Sequence, residues 1–210
     1  MYSCAPTNAK SLLSNCRPSR KTFQSLKEIV QDYINSCSRE AKEELGYFSG
    51  QPNLVTAIRV AAEATVDGKR HPHQRRIPGD MLKAFGLALS RKSKELRACK
   101  TFAELMEISG KVSKRFWEYS ELTLYDTTLR IGAHLGVMPD RVYLHAGVKD
   151  GAKALGLRGS LGVLMRSQFP KEFKKLKPWE IEHCLCIYKK QLKRLSFRTG
   201  QKRRLLATRT

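Results

Sequence analysis

The chain has 210 residues, and its 40 Lys and Arg against 19 Asp and Glu give a formal net charge of +21 at pH 7. This length suits one ordinary domain with a real hydrophobic core better than two. A hydrophobic content of 41% excludes a compositionally disordered chain, and no apolar run approaches the roughly 18–20 residues of a membrane span. We therefore expect a soluble, folded, very basic protein that meets an acidic or polyanionic partner.

The cysteines fall at positions 4, 16, 37, 99, 184 and 186, without a C-x-x-C pair or a dense framework. Such usage indicates a reducing compartment and a chain that needs no disulfides. Residues 1–27 are rich in Ser, basic and free of acidic residues. We expect residues 1–21 to form a disordered basic leader, with an organellar import segment as the alternative. The predicted location is the cytoplasm, or the nucleoid if the source is bacterial.

Apolar residues recur every three or four positions through most of the chain, which is the spacing of amphipathic helices. Ser25 and Glu28 have capping-box spacing at the start of the first helix. Asn53 is placed to cap a second helix, and Asp80 a third. A capping box at Thr101 begins another. The first half of the chain therefore predicts a series of short helices joined by loops.

The second half continues the same pattern. A helix is predicted over 122–136, a short one over 139–144, a turn or two over 149–155, and a long one over 178–195 with its proline in the first turn. No segment alternates long enough to indicate a strand.

The fold class is thus all-α: a single compact bundle of seven to nine short helices with basic, partly disordered termini. The helical domain is placed at residues 22–195 and a flexible basic tail at 196–210.

Positive charge is concentrated toward the end of the chain. From position 153 onward, 16 Lys and Arg stand against three acidic residues, so +13 of the total lies in the last 58 residues. Phe169, Phe173 and Trp179 lie among these lysines, and we expect their rings to be near bound phosphates. Such a density of charge favours a nucleic-acid partner over a merely solvated face.

A second basic cluster lies in the loop at 69–78, which is bracketed by Gly68 and two prolines that exclude a helix through it. His71 and His73 in this loop are better explained by phosphate contact than by metal binding. The nucleic-acid contacts predicted for the whole chain are Lys69, Arg70, Arg75, Arg76, Gly110, Lys149, Arg166, Lys171, Lys174, Lys175, Lys177, Arg198, Lys202, Arg203 and Arg204.

The stretch LTLYDTTLRIGAHLG at 122–136 resembles the segment of the helix-hairpin-helix DNA glycosylase superfamily in which an Asp begins a helix. The resemblance implies that Asp126 caps the helix and stabilises positive charge on the sugar of a flipped nucleotide. A carboxylate at a helix N-terminus accepts backbone N–H bonds and stays ionised, as that role requires.

The same family has a glycine-rich hairpin before this helix, and the stretch ISGKVSK at 108–114 is similar to it. The resemblance implies that Gly110 brings backbone amides to a DNA phosphate and that Lys114 is the Schiff-base nucleophile. Val112 stands where the family has its second glycine, and the interval from Lys114 to Asp126 is shorter than the family's. No cysteine quartet follows, so the resemblance implies no iron–sulfur cluster.

Two further stretches contain candidate binding residues, but neither predicts a catalytic or metal site. The glycines of 139–152 are a second candidate for phosphate contact, assisted by Lys149, and His145 is expected as a hydrogen-bonded residue of the core or its rim. At 183–186, histidine and cysteines cluster, but the apolar stripe already includes Cys184, so burial is predicted there rather than a metal site. We expect no metal and no cofactor, and no nucleotide-binding or hydrolase motif is present.

The sequence favours a DNA-binding protein that holds the phosphate backbone, with base-excision glycosylase activity in DNA repair as its open extension. If the protein is an enzyme, it is a glycosylase-type hydrolase. One alternative is a non-catalytic RNA-binding or ribosome-associated protein. Another is a regulatory or toxin-like protein that binds an acidic protein partner.

Overall fold

The computed structural model describes residues 16–66, 68–116, 120–159 and 162–207, with side chains as far as Ser196 except that of His73. Within these ranges the fold is all-helical apart from four two-residue strands, and the predicted bundle of seven to nine helices is confirmed. In chain order the elements are α1 (Leu26–Ser36), α2 (Ser38–Ser49), α3 (Leu54–Glu63), β1 (Thr65–Val66), β2 (Lys69–Arg70), α4 (Gly79–Ser90), α5 (Ser93–Ala98), α6 (Phe102–Ser113), α7 (Glu121–Leu135), β3 (Val142–Tyr143), α8 (Ala146–Ala154), β4 (Val163–Leu164) and α9 (Pro178–Ala207).

The described residues group into two compact units. Unit one is Glu40–Pro139, and unit two combines Cys16–Arg39 with the chain from Asp140 onward. The sequence predicts one domain because local periodicity finds helices but does not show which helices pack together.

Three helix starts follow the predicted capping chemistry. The Ser25 hydroxyl accepts the Glu28 N–H at 3.2 Å, and Asn53 caps α3 with its side chain. Thr101 and Glu104 form a complete capping box at the start of α6. These caps satisfy backbone donors that would otherwise be unpaired at each helix end, so these starts could be predicted from sequence.

Two predicted elements are wrong. Asp80 does not cap α4, which begins at Gly79 with Pro78 at the N-cap; Asp80 lies in the first turn, where its charge still suits the helix dipole. The helix predicted over 139–144 is instead strand β3, paired antiparallel with β4. Strands of two residues are too short to show an alternating pattern, so they could not be predicted from the sequence.

The basic loop begins as a hairpin. Strands β1 and β2 pair antiparallel, and Ala64 and Gly68 take left-handed backbone conformations at φ 51° and 75° on either side of β1. After β2, no α-helix runs through the loop, as predicted, but Pro72–Gln74 forms one 3₁₀ turn. The loop therefore has fixed geometry in unit one.

Close packing of α8 on α9 holds unit two together, and it corrects the role given to the glycines of 139–152. Both glycines of this stretch belong to α8, where Gly147 is the second residue and Gly151 the sixth. A Cβ on Gly147 would lie 2.8 Å from Cys186 Sγ, and one on Gly151 would lie 2.5 Å from the Leu185 carbonyl oxygen. At Gly151 the backbone of α9 approaches too closely for a side chain, and at Gly147 the Cys186 side chain occupies the space.

We expect Gly151→Ala to lower the free energy of unfolding by about 1–3 kcal/mol, because the added methyl group overpacks the contact with α9. Helix propensity alone has the opposite sign and favours Ala by about 1 kcal/mol. Gly46→Ala in α2 is the matched control, since no atom lies within 4 Å of its Cβ position; this variant should be slightly stabilised. Urea unfolding measures both. A Gly151→Ala protein as stable as the wild type would contradict this packing.

The parts of the predicted leader and tail that the structure describes are more ordered than expected. Residues 1–15 of the predicted leader lie outside the described residues. Residues 16–23, which we call the strap, are held on α1 by the Ser19 N–H donated to Asp32 Oδ2 at 3.1 Å and by a disulfide between Cys16 and Cys37. The sequence predicts no disulfide, because the spacing of these cysteines shows no pairing.

The predicted flexible tail at 196–210 is helical as far as Ala207, because α9 continues through it. Its Lys, Arg, Gln, Leu and Ala residues are good helix formers, and they extend the helix after the apolar stripe ends.

Candidate functional site

Asp126 does not begin a helix, contrary to the resemblance on which its role was predicted. Helix α7 starts at Glu121, and its N-cap is Ser120, whose hydroxyl accepts the Thr123 N–H at 3.2 Å. Asp126 therefore lies in the second turn, where the backbone N–H groups are already bonded within the helix. The serine upstream was an available cap that the sequence interpretation passed over.

Asp126 instead belongs to a group of polar residues that we call the α7 polar cluster: Glu44, His71, Gln74, Asp126 and Arg130. Gln74 is fully buried and donates from Nε2 to Asp126 Oδ2 at 3.2 Å. Arg130, one turn further along α7, donates from Nη2 to Glu44 Oε1 at 3.4 Å. His71 Nε2 lies 3.8 Å from the same oxygen. The cluster thus attaches the basic loop to α7 and α2 within unit one.

The burial of its side chains determines which contacts the α7 polar cluster can make. Arg130 is 4% exposed and His71 is 7% exposed, so neither side chain can reach a phosphate. The phosphate contact predicted for His71 is therefore excluded. The guanidinium carbon of Arg130 lies 5.0 Å from the ring centroid of Phe48, a cation–π contact. A buried cation of this kind is held by its carboxylate and its ring. Only Asp126 in the cluster is partly exposed.

The predicted hairpin at 108–114 is also wrong, because α6 runs straight through it. Gly110 lies inside the helix, and a Cβ there would meet Leu124 Cδ2 at an ordinary 3.7 Å. Lys114 is the C-cap residue, and its exposed side chain follows a continuous helix. With Val112 in place of the family's second glycine, nothing interrupts the helix that the Thr101 capping box starts.

Among the cations of the basic loop, one supports the loop and three are exposed. Arg70 Nη1 donates to the Ile77 carbonyl at 3.1 Å and so braces the loop. Lys69, Arg75 and Arg76 are exposed. Three of the four cations predicted to bind nucleic acid here are therefore displayed to solvent, while Arg70 has a structural contact.

In unit two, a group of exposed cations surrounds a 3₁₀ turn, Lys171–Lys175, which we call the lysine turn. Lys171, Lys174 and Lys175 within it are all exposed, as is Lys177 two residues beyond. Arg166 Nη2 donates to the backbone carbonyl of Lys174, so Arg166 supports the turn. The turn presents three ammonium groups within five residues.

The aromatic rings expected beside these lysines are buried instead. Phe169, Phe173 and Trp179 are 7%, 1% and 5% exposed, and Phe169 meets Phe173 edge to face at 5.7 Å between centroids. Their apolar area is worth more in the core than at the surface. The rings therefore anchor the lysine turn, and they offer nucleic-acid bases nothing on which to stack.

The remaining predicted contacts lie on helices. Lys149 is exposed on α8. Arg198, Lys202, Arg203 and Arg204 fall in the last turns of α9, in the part described as backbone only.

The structure adds a cavity of about 560 Å³ in unit two that the sequence did not predict. It is lined by residues 21–23 of the strap and, on α9, by Lys190, Gln191, Lys193, Arg194 and Leu195. The spacing of three and four between the cations at 190, 193 and 194 was a sequence signal for one helix face. Nothing in the sequence showed that the strap lies beside that face. We call this the basic cavity.

Asp32 fixes the strap beside the basic cavity. Its carboxylate is 7% exposed; it accepts the Tyr188 hydroxyl at 2.8 Å and lies 3.5 Å from Lys21 Nζ. Burial by itself would raise the pKa of Asp32, but the hydrogen bonds from Ser19 and Tyr188 and the charge of Lys21 outweigh it and lower the pKa below its ordinary 3.8. The ionised carboxylate is therefore the form that holds the strap.

We expect Asp32→Asn to cost about 1–3 kcal/mol of stability at pH 7, since the hydrogen bonds it weakens are to a charged group. A lowered pKa in the folded state means that this contribution is present above pH 3.8 and is lost as the pH falls below it. The gap in melting temperature between variant and wild type should thus close in acid. Asp150→Asn, at an exposed position on α8, is the control and should change little. A gap independent of pH would contradict the role of the charge.

Two other predictions concern the core of unit two. His145 is 3% exposed, with Nε2 2.6 Å from Glu182 Oε1, which confirms the hydrogen-bonded core position. Cys184 is fully buried as predicted, and burial raises the pKa of its thiol. No group of three or more His, Cys, Asp or Glu is arranged to hold a metal ion in the part of the chain that the structure describes.

Comparison with protein-family models, curated proteins and solved structures finds no match to this chain. Among the helices of the described ranges, none has the length and apolar character needed to cross a membrane.

Proposed function

We propose that the protein binds nucleic acid, with duplex DNA preferred, by holding the phosphate backbone. The observation that carries this proposal is the lysine turn. Its three exposed lysines have no ion pair with any carboxylate among the described residues. Cations that are not neutralised within the protein are available to phosphates, and their binding releases the counterions condensed on DNA.

The support beneath the lysine turn strengthens the proposal. Phe173 is buried below the turn, and Arg166 binds its backbone. The backbone is thus fixed before a ligand arrives, which lowers the entropy cost of binding. In unit one, the exposed Lys69, Arg75 and Arg76 supply a second set of cations on a loop that is itself braced.

Duplex DNA is preferred to single strands because the three rings near the lysine turn are buried and form no aromatic platform beside its cations. Proteins that bind single strands stack successive bases on exposed rings, and Phe169, Phe173 and Trp179 are buried here. Backbone contacts of this kind carry no base sequence information directly.

A competition assay at fixed salt tests the class of partner. Labelled duplex DNA is bound to the full chain, and unlabelled duplex DNA, single-stranded DNA and structured RNA are added as competitors. We expect duplex DNA to compete best. Stronger competition by RNA would replace the proposal with the RNA-binding alternative. Failure of every nucleic acid to bind more tightly than about 10⁻⁴ M would leave an acidic protein as the better partner.

Base excision at Asp126 is a second candidate function. The observation that favours it is the 3.2 Å contact between Asp126 and Gln74, which places a partly exposed carboxylate against the loop that carries Arg75 and Arg76. Duplexes with uracil, alkylated or oxidised bases are the substrates to test. Abasic product from the wild type that is lost in Asp126→Asn, with DNA affinity unchanged, would support this function. No product from the wild type would reject it.

A further inference from the structure

The basic cavity in unit two has the size and lining of a small-ligand site. Its volume of about 560 Å³ falls within the range of roughly 300–1,000 Å³ found for ligand pockets. One wall is the strap, which Asp32 and the disulfide at Cys16 hold in place. The other wall is a face of α9, so both walls are fixed to the core of the same unit.

Four cations surround this cavity: Lys21, Lys190, Lys193 and Arg194. Lys21 is 3.5 Å from Asp32, but that carboxylate also accepts bonds from Ser19 and Tyr188. The three cations on α9 are exposed, and no ion pair is found for them among the described residues. The charge of the cavity is therefore positive and calls for an anionic ligand.

The interior of the cavity is not purely charged. Phe23 and Leu195 give it an apolar wall, and Lys21 Nζ lies 5.3 Å from the centroid of the Phe23 ring. A hydrated inorganic ion gains nothing from such a wall. An anion that carries an apolar or aromatic body can bury that body against Phe23 and Leu195 while its charge stays at the cationic rim.

Gln191 supplies the polar group that such a body can meet. It lines the cavity, and its Oε1 is buried without a hydrogen-bond partner in the described part of the chain. An unpaired buried acceptor is costly, and a rotation of the Gln191 side chain that brings Oε1 to a donor of the ligand removes that cost. A side-chain amide offers both donors and an acceptor, which matches the edge of a nucleobase.

We infer that the basic cavity is a nucleotide subsite, in which Lys190, Lys193 and Arg194 hold a phosphate while Gln191 and the apolar wall hold the base. The inference rests on the proposed nucleic-acid function and narrows it. The ligand is either a free nucleotide or the terminal nucleotide of a strand, because the two share this chemistry. A strand end differs from the continuous backbone that the lysine turn holds.

Calorimetric titration of the full chain tests the subsite with adenosine 5′-monophosphate, adenosine and inorganic phosphate. We expect one molecule of the monophosphate to bind, at least about tenfold more tightly than the other two ligands. Adenosine lacks the phosphate, and inorganic phosphate lacks the base. Gln191→Leu keeps the side-chain size and should weaken binding of the monophosphate about fivefold, which is the contribution expected of one hydrogen bond. Gln31→Leu, on an exposed part of α1 outside the cavity, is the matched control and should have no effect.

Two short oligonucleotides, with and without a 5′-phosphate, distinguish the sources of the ligand. Preference for the phosphorylated strand, competed by the monophosphate, assigns the subsite to strand ends. Monophosphate binding without that preference assigns it to free nucleotides.

Equal binding of phosphate and monophosphate, or no effect of Gln191→Leu, would overturn the inference. If duplex DNA binds and the monophosphate does not, the subsite fails while the proposed function stands. If neither binds, both fail.

Discussion

Replacing Lys171, Lys174 and Lys175 together with Glu is expected to weaken binding of duplex DNA roughly 10²–10³-fold near 0.1 M salt. Each phosphate neutralised contributes a slope of about −0.9 to the logarithm of affinity against the logarithm of salt concentration. Loss of three contacts should therefore also make this slope shallower by about 2.7. Fluorescence anisotropy across a salt series measures both quantities. The fold should be unaffected, because all three side chains are exposed.

The matched control reverses three exposed lysines of unit one: Lys83, Lys94 and Lys100. It changes the net charge equally but leaves the lysine turn intact. We expect this control to weaken DNA binding much less and to leave the slope nearly unchanged. Equal losses in the two triple variants would mean that net charge alone, and not the lysine turn, determines the affinity.

Replacing Arg130 with Met is expected to lower the stability by about 3–5 kcal/mol, the usual cost of breaking a buried ion pair by removing one partner. The change leaves the buried Glu44 carboxylate without the guanidinium that lies 3.4 Å from it, and removes the contact with Phe48. Chemical denaturation of the variant measures the loss. The effect should be far larger than for a surface cation.

Two further variants make this expectation specific. Lys111→Met removes a closer but exposed ion pair, in which Nζ lies 2.6 Å from Glu107, and should barely change stability. Glu44→Met combined with Arg130→Met should recover part of the loss, because the buried carboxylate is removed together with its guanidinium partner. If Arg130→Met costs no more than Lys111→Met, the α7 polar cluster does not stabilise unit one.

The sequence predicted well those features of the helix starts that depend on neighbouring residues. The caps at Ser25, Asn53 and Thr101 depend on contacts three residues apart, and the first-turn position of Pro178 depends on proline's own geometry. The same local reasoning failed for Asp126, because Ser120 is an equally good cap that starts the helix earlier. Where two caps compete, only the packing of the helix decides between them.

The candidate sites could not be predicted because they depend on long-range contacts. Glu44 meets Arg130 across 86 positions, and Tyr188 meets Asp32 across 156. Burial of the rings at Phe169 and Phe173 likewise depends on which helices surround them. Composition correctly located a dense set of lysines, but it could not show whether rings or ammonium groups face the solvent.

The salt dependence of duplex DNA binding by the unmodified chain shows whether the protein holds the phosphate backbone. We expect a dissociation constant below about 10⁻⁴ M at low salt. The logarithm of the affinity should fall linearly and steeply with the logarithm of salt concentration, at about −0.9 per phosphate held. Three contacts from the lysine turn alone predict a slope of about −2.7 or steeper. Absence of binding at low salt, or binding that does not change with salt, would contradict a protein that holds the phosphate backbone.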